Sequence, residues 1–382
     1  MYFKDIPGKK DEKQQLIQQV KLGKIPHAQL FLGKEGYGEL ALAIAFSRFI
    51  MCHKPEEDDA CGKCEACKKI DHYMKPDLHF VFPMVKYKNL KREDTTSNDA
   101  LPVWRQTILE NPWCNLSQWL EILEADNSIP NINVKECNDI IHKLSLMAFD
   151  SGYKILILWL PEFLGKDGNR LLKLIEEPPD KTLLLLVSHH VEGILPTLIS
   201  RCQILRVPPF ERDEIVGFLI EKYNVSQKRA LEISNMSAGN LLNAISVCNH
   251  DTKDYSDMLI SWFRIAYSGN PVTIQEWYLG FEQLSKNEKM SFIEYGLHFL
   301  RQFLLFQFNA SESLHSTEQE KETLQKMQKV LDIGKAEAII SVFDRQLMAI
   351  QRNANLKIMF LTDSLTIGDI MNGKEYVSLL SY

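Results

Sequence analysis

Two short runs of unbroken apolar residues, YKILILWL at 153–160 and TLLLLV at 182–187, constrain this chain more than any other feature. A strand with one wet face alternates apolar and polar residues, whereas an unbroken run belongs to a strand covered on both faces. Strands of that kind occur in parallel sheets with helices on each side. A further strand is read at Gln29–Gly33 and another at Gln203–Val207, ahead of Pro208-Pro209. Helical patterns lie between them: Glu39–Met51, Val134–Met147, Asn169–Glu177 stopped by Pro178-Pro179, and Leu195–Ser200. This alternation predicts an α/β core with a parallel sheet. Past Pro209 the pattern is helical throughout. Three short helices are expected at Glu211–Tyr223, Ser226–Met236 and Asn240–Val247. More follow from Asp254, with polar breaks near Gly269-Asn270-Pro271 and Ser311–Thr317.

Between the first strand and its helix stands GKEGYGEL, Gly33–Leu40. A phosphate-binding P-loop reads G-x-x-x-x-G-K-[ST]; its lysine offsets phosphate charge and its hydroxyl holds Mg²⁺. Gly33 and Gly38 stand at the glycine positions, but Glu39 replaces the lysine and Leu40 the hydroxyl residue. A carboxylate there repels a triphosphate. The next core strand ends in Trp159-Leu160, where an Mg²⁺-binding acid is expected; Glu162, two positions on, is not counted as a substitute. The loop is therefore either an unrelated glycine turn or a nucleotide fold that has lost its chemistry. In neither case is ATP expected to bind productively.

Cys52, Cys61, Cys64 and Cys67 have the spacing C-x8-C-x2-C-x2-C, half of the chain's eight cysteines. Four thiolates at the corners of a tetrahedron suit structural Zn²⁺ and leave no open position for catalysis. A helix end would supply Cys52 and a turn the other three, with Gly62 permitting the bend. Free thiols, an iron–sulfur centre, or replacement of one cysteine by His53 or His72 are the alternatives. The ferredoxin pattern, however, wants a further cysteine followed by proline, which is absent here.

Two more segments stand out. Leu195–Cys202 (LPTLISRC) carries Arg201 at a helix end, where it could serve a phosphate site or simply sit in a surface ion pair. Residues 82–131 break the pattern with a charged run (Lys86, Lys88, Lys91, Arg92, Glu93, Asp94) followed by Trp104, Trp113 and Trp119. These tryptophans either pack on the core or mark a contact with a partner or DNA.

Bulk composition excludes several classes. The formal charge of −6 argues against coating nucleic acid by overall charge, and any DNA contact must be local or shared. No apolar run reaches the ~18 residues that span a membrane. The polar start, Met1–Asp11, and the clustered cysteines fit a cytoplasmic protein.

Taken in order, four segments resemble the bacterial DNA polymerase III clamp-loader family. They are Ile25–Gly33 (IPHAQLFLG), the four-cysteine spacing, Asn169–Pro179 (NRLLKLIEEPP, against "NALLKTLEEPP") and Ile194–Cys202 (ILPTLISRC, against "LLPTILSRC"). The resemblance spans roughly residues 3–245. It implies an AAA+ core at 1–208 with a zinc module at 52–67 and an insertion at 82–131. A small helical lid would follow at 209–252, and an all-α oligomerisation domain at 253–382. Within the family, the ATP-hydrolysing gamma/tau subunits keep the P-loop lysine and hydroxyl. Glu39, Leu40 and Trp159-Leu160 depart from them and resemble the delta-prime branch. Leu242, in Gly239-Asn-Leu-Leu242, stands where a nucleotide-sensing arginine is expected and is a further departure. The implied role is a non-hydrolysing subunit in a five-subunit ring with gamma/tau and delta subunits. That ring loads a sliding clamp on primed DNA, and Arg201 would act in trans on a neighbour's ATP. An ATP-hydrolysing gamma/tau-like subunit with an atypical P-loop is the alternative.

Overall fold

A computed structural model describes residues 1–125, 128–149, 152–249, 255–308, 324–325, 327–328, 330–351 and 356–374. The break expected at Ser311–Thr317 lies outside them. The chain divides into two compact units, Met1–Ser246 and Val247–Tyr382.

In the first unit the elements run as follows. Helix α1 (Lys10–Lys21) precedes β1 (Ala28–Leu32), α2 (Glu39–Met51), α3 (Glu65–Asp71) and β2 (Leu78–Val81). Then come α4 (Leu101–Glu110), α5 (Leu116–Ile122), α6 (Val134–Ser145) and β3 (Lys154–Trp159). The last part holds α7 (Leu172–Glu176), β4 (Thr182–Ser188), α8 (Pro196–Ile199), β5 (Gln203–Arg206), α9 (Arg212–Tyr223), α10 (Gln227–Ser237) and the start of α11 (Leu241–Asn249), which runs past Ser246. The five strands form one sheet in the order β2-β3-β4-β1-β5, every pairing parallel. β3 and β4 are buried along their whole length, as their unbroken apolar runs require. One face of the sheet packs Leu30, Leu156, Leu158, Leu184 and Leu186 against Cys137, Ile140 and Leu144 of α6.

Sequence and structure differ in three places. β2 has no counterpart in the sequence pattern: it is four residues at the sheet edge, boxed between Pro76 and Pro83. The helix expected at Asn169–Glu177 is split. Its first part belongs to a 3-10 stretch, Pro161–Leu171, interrupted at Gly165 (φ 51°), and only Leu172–Glu176 is α-helical. The segment 82–131 has a framework of its own. It closes on itself at Met84 and Asn131, which exchange two backbone hydrogen bonds of 3.0 and 2.9 Å, and it carries α4 and α5 between them.

The second unit contains α12 (Tyr255–Ser268), α13 (Pro271–Glu282), α14 (Lys286–Gln307), α15 (Ile333–Gln351) and α16 (Leu356–Met371). The break between α12 and α13 uses Gly269 at φ 65° and Pro271 at the first helical position. Its core is aromatic. Trp277 stacks on Phe360 at 5.3 Å, and the buried Trp262 donates its indole N–H to Ser364 Oγ at 2.9 Å. Gly368 lets α16 approach α12: a Cβ there would stand 2.1 Å from Ala266 O. No helix among the described residues is long and apolar enough to cross a membrane.

Candidate functional site

The glycine loop follows β1, at the carboxyl end of the sheet where ligands of open α/β folds bind. Gly36 (φ 80°) and Gly38 (φ 92°) use the left-handed backbone that glycine tolerates, and Gly38 is the N-cap of α2. An unmodified loop of this shape presents its N–H groups and a helix N-terminus to an anion. Here a carboxylate stands beside the loop, although no loop N–H donates to it and its Oε2 has no hydrogen-bond partner. Glu39, the first residue of α2, is 3% exposed and its carboxylate turns back over the loop. A Cβ on Gly33 would stand 3.2 Å from Glu39 Oε2. Glu39 Oε1 meets His189 Nε2 at 2.5 Å, and both side chains are buried. Burial pushes the His189 pKa down, but the carboxylates of Glu39, Glu35 and Glu162 together outweigh it and the net shift is upward. Leu40 is buried in the core and offers no hydroxyl.

The end of β3 carries an aromatic cluster. Trp159, at the end of β3, is buried against Trp104 of α4, with ring centroids 4.9 Å apart. Trp104 in turn stacks on Phe82 (4.4 Å) and meets Trp119 edge-on (5.1 Å). Glu162 accepts a hydrogen bond from Ser188 Oγ at 3.0 Å, and burial pushes its carboxyl pKa up. Leu242 is buried near the start of α11. The neighbouring Leu241 N–H donates to Gly36 O at 3.0 Å, and Asn240 Nδ2 donates to Glu35 O at 3.0 Å.

Trp113 lies over the loop. A Cβ on Gly38 would come within 3.1 Å of its Cζ3 and 3.0 Å of Phe210 Cζ. Trp113 meets Phe210 and Phe218 edge-on, both at 6.0 Å. Asn115 Nδ2 donates to Glu35 Oε1 at 2.7 Å. Sequence reasoning missed His189, Trp113 and Asn115 as members of this site. One signal was available for His189: a buried glutamate at a helix start needs a cation, and His189-His190 follows the adjacent strand.

The four cysteines converge between the end of α2 and the start of α3. Their sulfurs all lie within 4.8 Å of one another. Cys52–Cys61 and Cys52–Cys64 are 3.5 and 4.0 Å apart. Tetrahedral zinc with bonds of ~2.3 Å sets its sulfurs about 3.8 Å apart, so the donor set fits. Cys61 N–H and Cys67 N–H donate to the sulfurs of Cys52 and Cys64, both at 3.4 Å, which favours thiolates. Cys52 caps α2 and Gly62 has φ 69°, but Cys67 lies within α3 rather than on a turn. The buried Arg48 anchors the module, reaching Asp71 Oδ1 at 2.7 Å and Cys67 O at 3.4 Å. His53 and His72 are not in the cluster, which is the one candidate metal group found among the described residues.

Arg201 follows α8. Its Nε donates to Glu176 Oε1 at 2.6 Å and its Nη1 to Thr197 O at 2.8 Å. The guanidinium is about one-third exposed. It belongs to a different part of the fold from the glycine loop, with no polar contact to it.

Comparison with known proteins supplies the family. A family model described as DNA polymerase III, delta subunit, matches residues 8–211, more than half of the chain. DNA polymerase III subunit delta′ of Escherichia coli is 24% identical over 275 residues, covering 71% of this chain and 68% of that protein. The Bacillus subtilis delta′ subunit is 26% identical over 236 residues, covering 62% of this chain and 58% of that protein. Among solved structures, a DNA polymerase III gamma-subunit-related protein of Thermotoga maritima covers 94% of this chain and all of its own, with a TM-score of 0.42 and 12% identity. From the matched model and these delta′ relatives, the chain belongs to the DNA polymerase III delta-prime family of clamp-loader subunits.

Proposed function

We propose that this chain is a non-hydrolysing subunit of a DNA polymerase III clamp loader, acting in DNA replication. One observation carries this: the buried Glu39 carboxylate, paired with His189, stands beside Gly33 where a phosphate-binding lysine would be needed. A triphosphate brought there meets a like charge in a desolvated site, where repulsion is strong. Trp159 and Leu242 support the same reading, since they put aromatic and aliphatic side chains where metal and phosphate would need polar ones.

The proposed partners are gamma/tau and delta subunits in a five-subunit ring, with the sliding clamp and primed DNA reached through that complex. In this proposal residues 1–208 form the AAA+ core, 209–252 a helical lid and 253–382 the oligomerisation domain. Arg201 acts in trans on ATP held by the adjacent subunit. Its fit to that role rests on exposure and on a weak intramolecular ion pair with Glu176 that a phosphate could outcompete. Zinc at Cys52, Cys61, Cys64 and Cys67 ties α2 to α3 and has no catalytic part.

The test is reconstitution with the gamma/tau and delta subunits of the same genome. The chain should enter a stable complex, and Arg201→Ala should enter it equally well while slowing DNA-stimulated ATP hydrolysis. Unchanged hydrolysis in a complete complex removes the role of Arg201. Turnover by the isolated chain would favour the gamma/tau-like alternative.

A further inference from the structure

The segment Asn111–Asn115, between α4 and α5, is the part of the 82–131 insertion that touches the glycine loop. It is fixed in place from its own side. Trp113 N–H donates to Asn111 Oδ1 at 3.1 Å, and Asn111 Nδ2 donates to Gln118 Oε1 at 3.2 Å. Asn115 caps α5, accepting from Gln118 N–H at 2.8 Å. It therefore has a donor left over, and that donor goes to Glu35.

Trp113 is 8% exposed, so its indole is committed to contacts rather than to solvent. Those contacts join three pieces. One is Gly38 of the loop; the second is Phe210, just after β5; the third is Phe218 on α9. Phe210 is bound to the turn before α11 through its N–H to Gly239 O, at 3.0 Å. Asn240 and Leu241 close the circle by bonding Glu35 O and Gly36 O. Lys9 Nζ lies over the Phe210 ring, 4.1 Å from its centroid. The helices that follow β5 are thus tied to the loop by these contacts.

We infer that residues 111–115 are a built-in latch: Trp113 and Asn115 occupy the open face of the glycine loop and hold helices α9–α11 against the core. A loop of this kind normally gains its order from the phosphates that its N–H groups bind. Here the insertion supplies contacts of its own, Trp113 at Gly38 and Asn115 at Glu35, beside the direct bonds from Asn240 and Leu241. This inference rests on the reading of the loop as inactive, and it adds what the insertion is for.

Hydrogen–deuterium exchange on the full chain, without nucleotide or partner subunits, tests it. Trp113→Ala should raise exchange of amides in 33–42 and 212–241 by about tenfold or more, the factor given by ~1.4 kcal/mol of lost local stability. Strand β3 and the cysteine module should stay as protected as in the wild type. Asn115→Asp is the second variant, for use also if Trp113→Ala fails to fold. Aspartate keeps the cap on α5 but loses the donor to Glu35 and sets two carboxylates together. It should raise exchange in 33–42 and at Leu241 while α5 is unchanged. Unaltered loop exchange in Asn115→Asp, or a rise in Trp113→Ala that is uniform across the unit, overturns the latch. ATP turnover by the isolated chain would instead count against the inactive-subunit reading, so the two are separable.

Discussion

Glu39 Oε1 and His189 Nε2 stand 2.5 Å apart, joining the first residue of α2 to the residue just past β4. The pair has a pH signature. Burial lowers the His189 pKa, whereas Glu39 beside it, then Glu35 and Glu162, raise it, for a net value above the ordinary 6.5. A histidine raised in the folded state contributes stability that is fully present below the unfolded pKa. That contribution is lost as pH rises through the folded pKa. Thermal unfolding of wild type and His189→Gln between about pH 5.5 and about pH 9 should therefore show the widest gap at the acid end. A gap that is constant with pH would mean that His189 stays neutral.

The aromatic cluster of the insertion predicts a large stability loss. Trp104 and Trp119 are fully buried, and Trp119 also donates to Pro83 O at 3.0 Å. Trp104→Ala leaves a cavity against Trp159 and should cost ~3–5 kcal/mol, seen as a lower denaturant midpoint for the first unit. A loss under about 1 kcal/mol would mean that the cluster is not packed as described.

Arg201→Ala should behave in the opposite way. Its ion pair with Glu176 is partly solvated, and such pairs contribute ~0–1 kcal/mol. The variant should unfold within about 1 kcal/mol of wild type, so any fall in the ring's ATP hydrolysis is not a folding defect. Glu176→Gln, which frees the guanidinium, should leave complex formation intact.

Metal content is checked directly. Elemental analysis of the purified chain should find about one zinc, and Cys67→Ser should abolish it. Because structural metal binding is coupled to folding, a strong chelator should lower the unfolding temperature. Protein that is metal-free yet equally stable would contradict the zinc site.

Most of the sheet is legible in the sequence because β3 and β4 must be apolar on both faces, and β1 runs into a glycine turn. β2 is not, since LHFV is too short to display a period and its partner β3 lies far away in the chain. The site divides in the same way. Cys52, Cys61, Cys64 and Cys67 lie close in sequence, so their spacing alone brings the sulfurs into view. Gly33, Gly38, Glu39 and Leu40 show what the loop lacks, but not what packs against it. Trp113 reaches Gly38 and Phe218 across 75 and 105 residues, contacts set by tertiary packing that no local pattern encodes. The division of Asn169–Glu177 between a 3-10 stretch and a short helix has the same origin, with Gly165 breaking the turn upstream.

The most direct test of the account is an equilibrium titration of the isolated chain with fluorescent Mg·ATP. With Glu39 beside the loop and Trp113 over it, no saturable binding should be seen up to about 1 mM, the level of a ~4 kcal/mol interaction. A micromolar isotherm that requires Mg²⁺ and is competed by unlabelled ATP would contradict it.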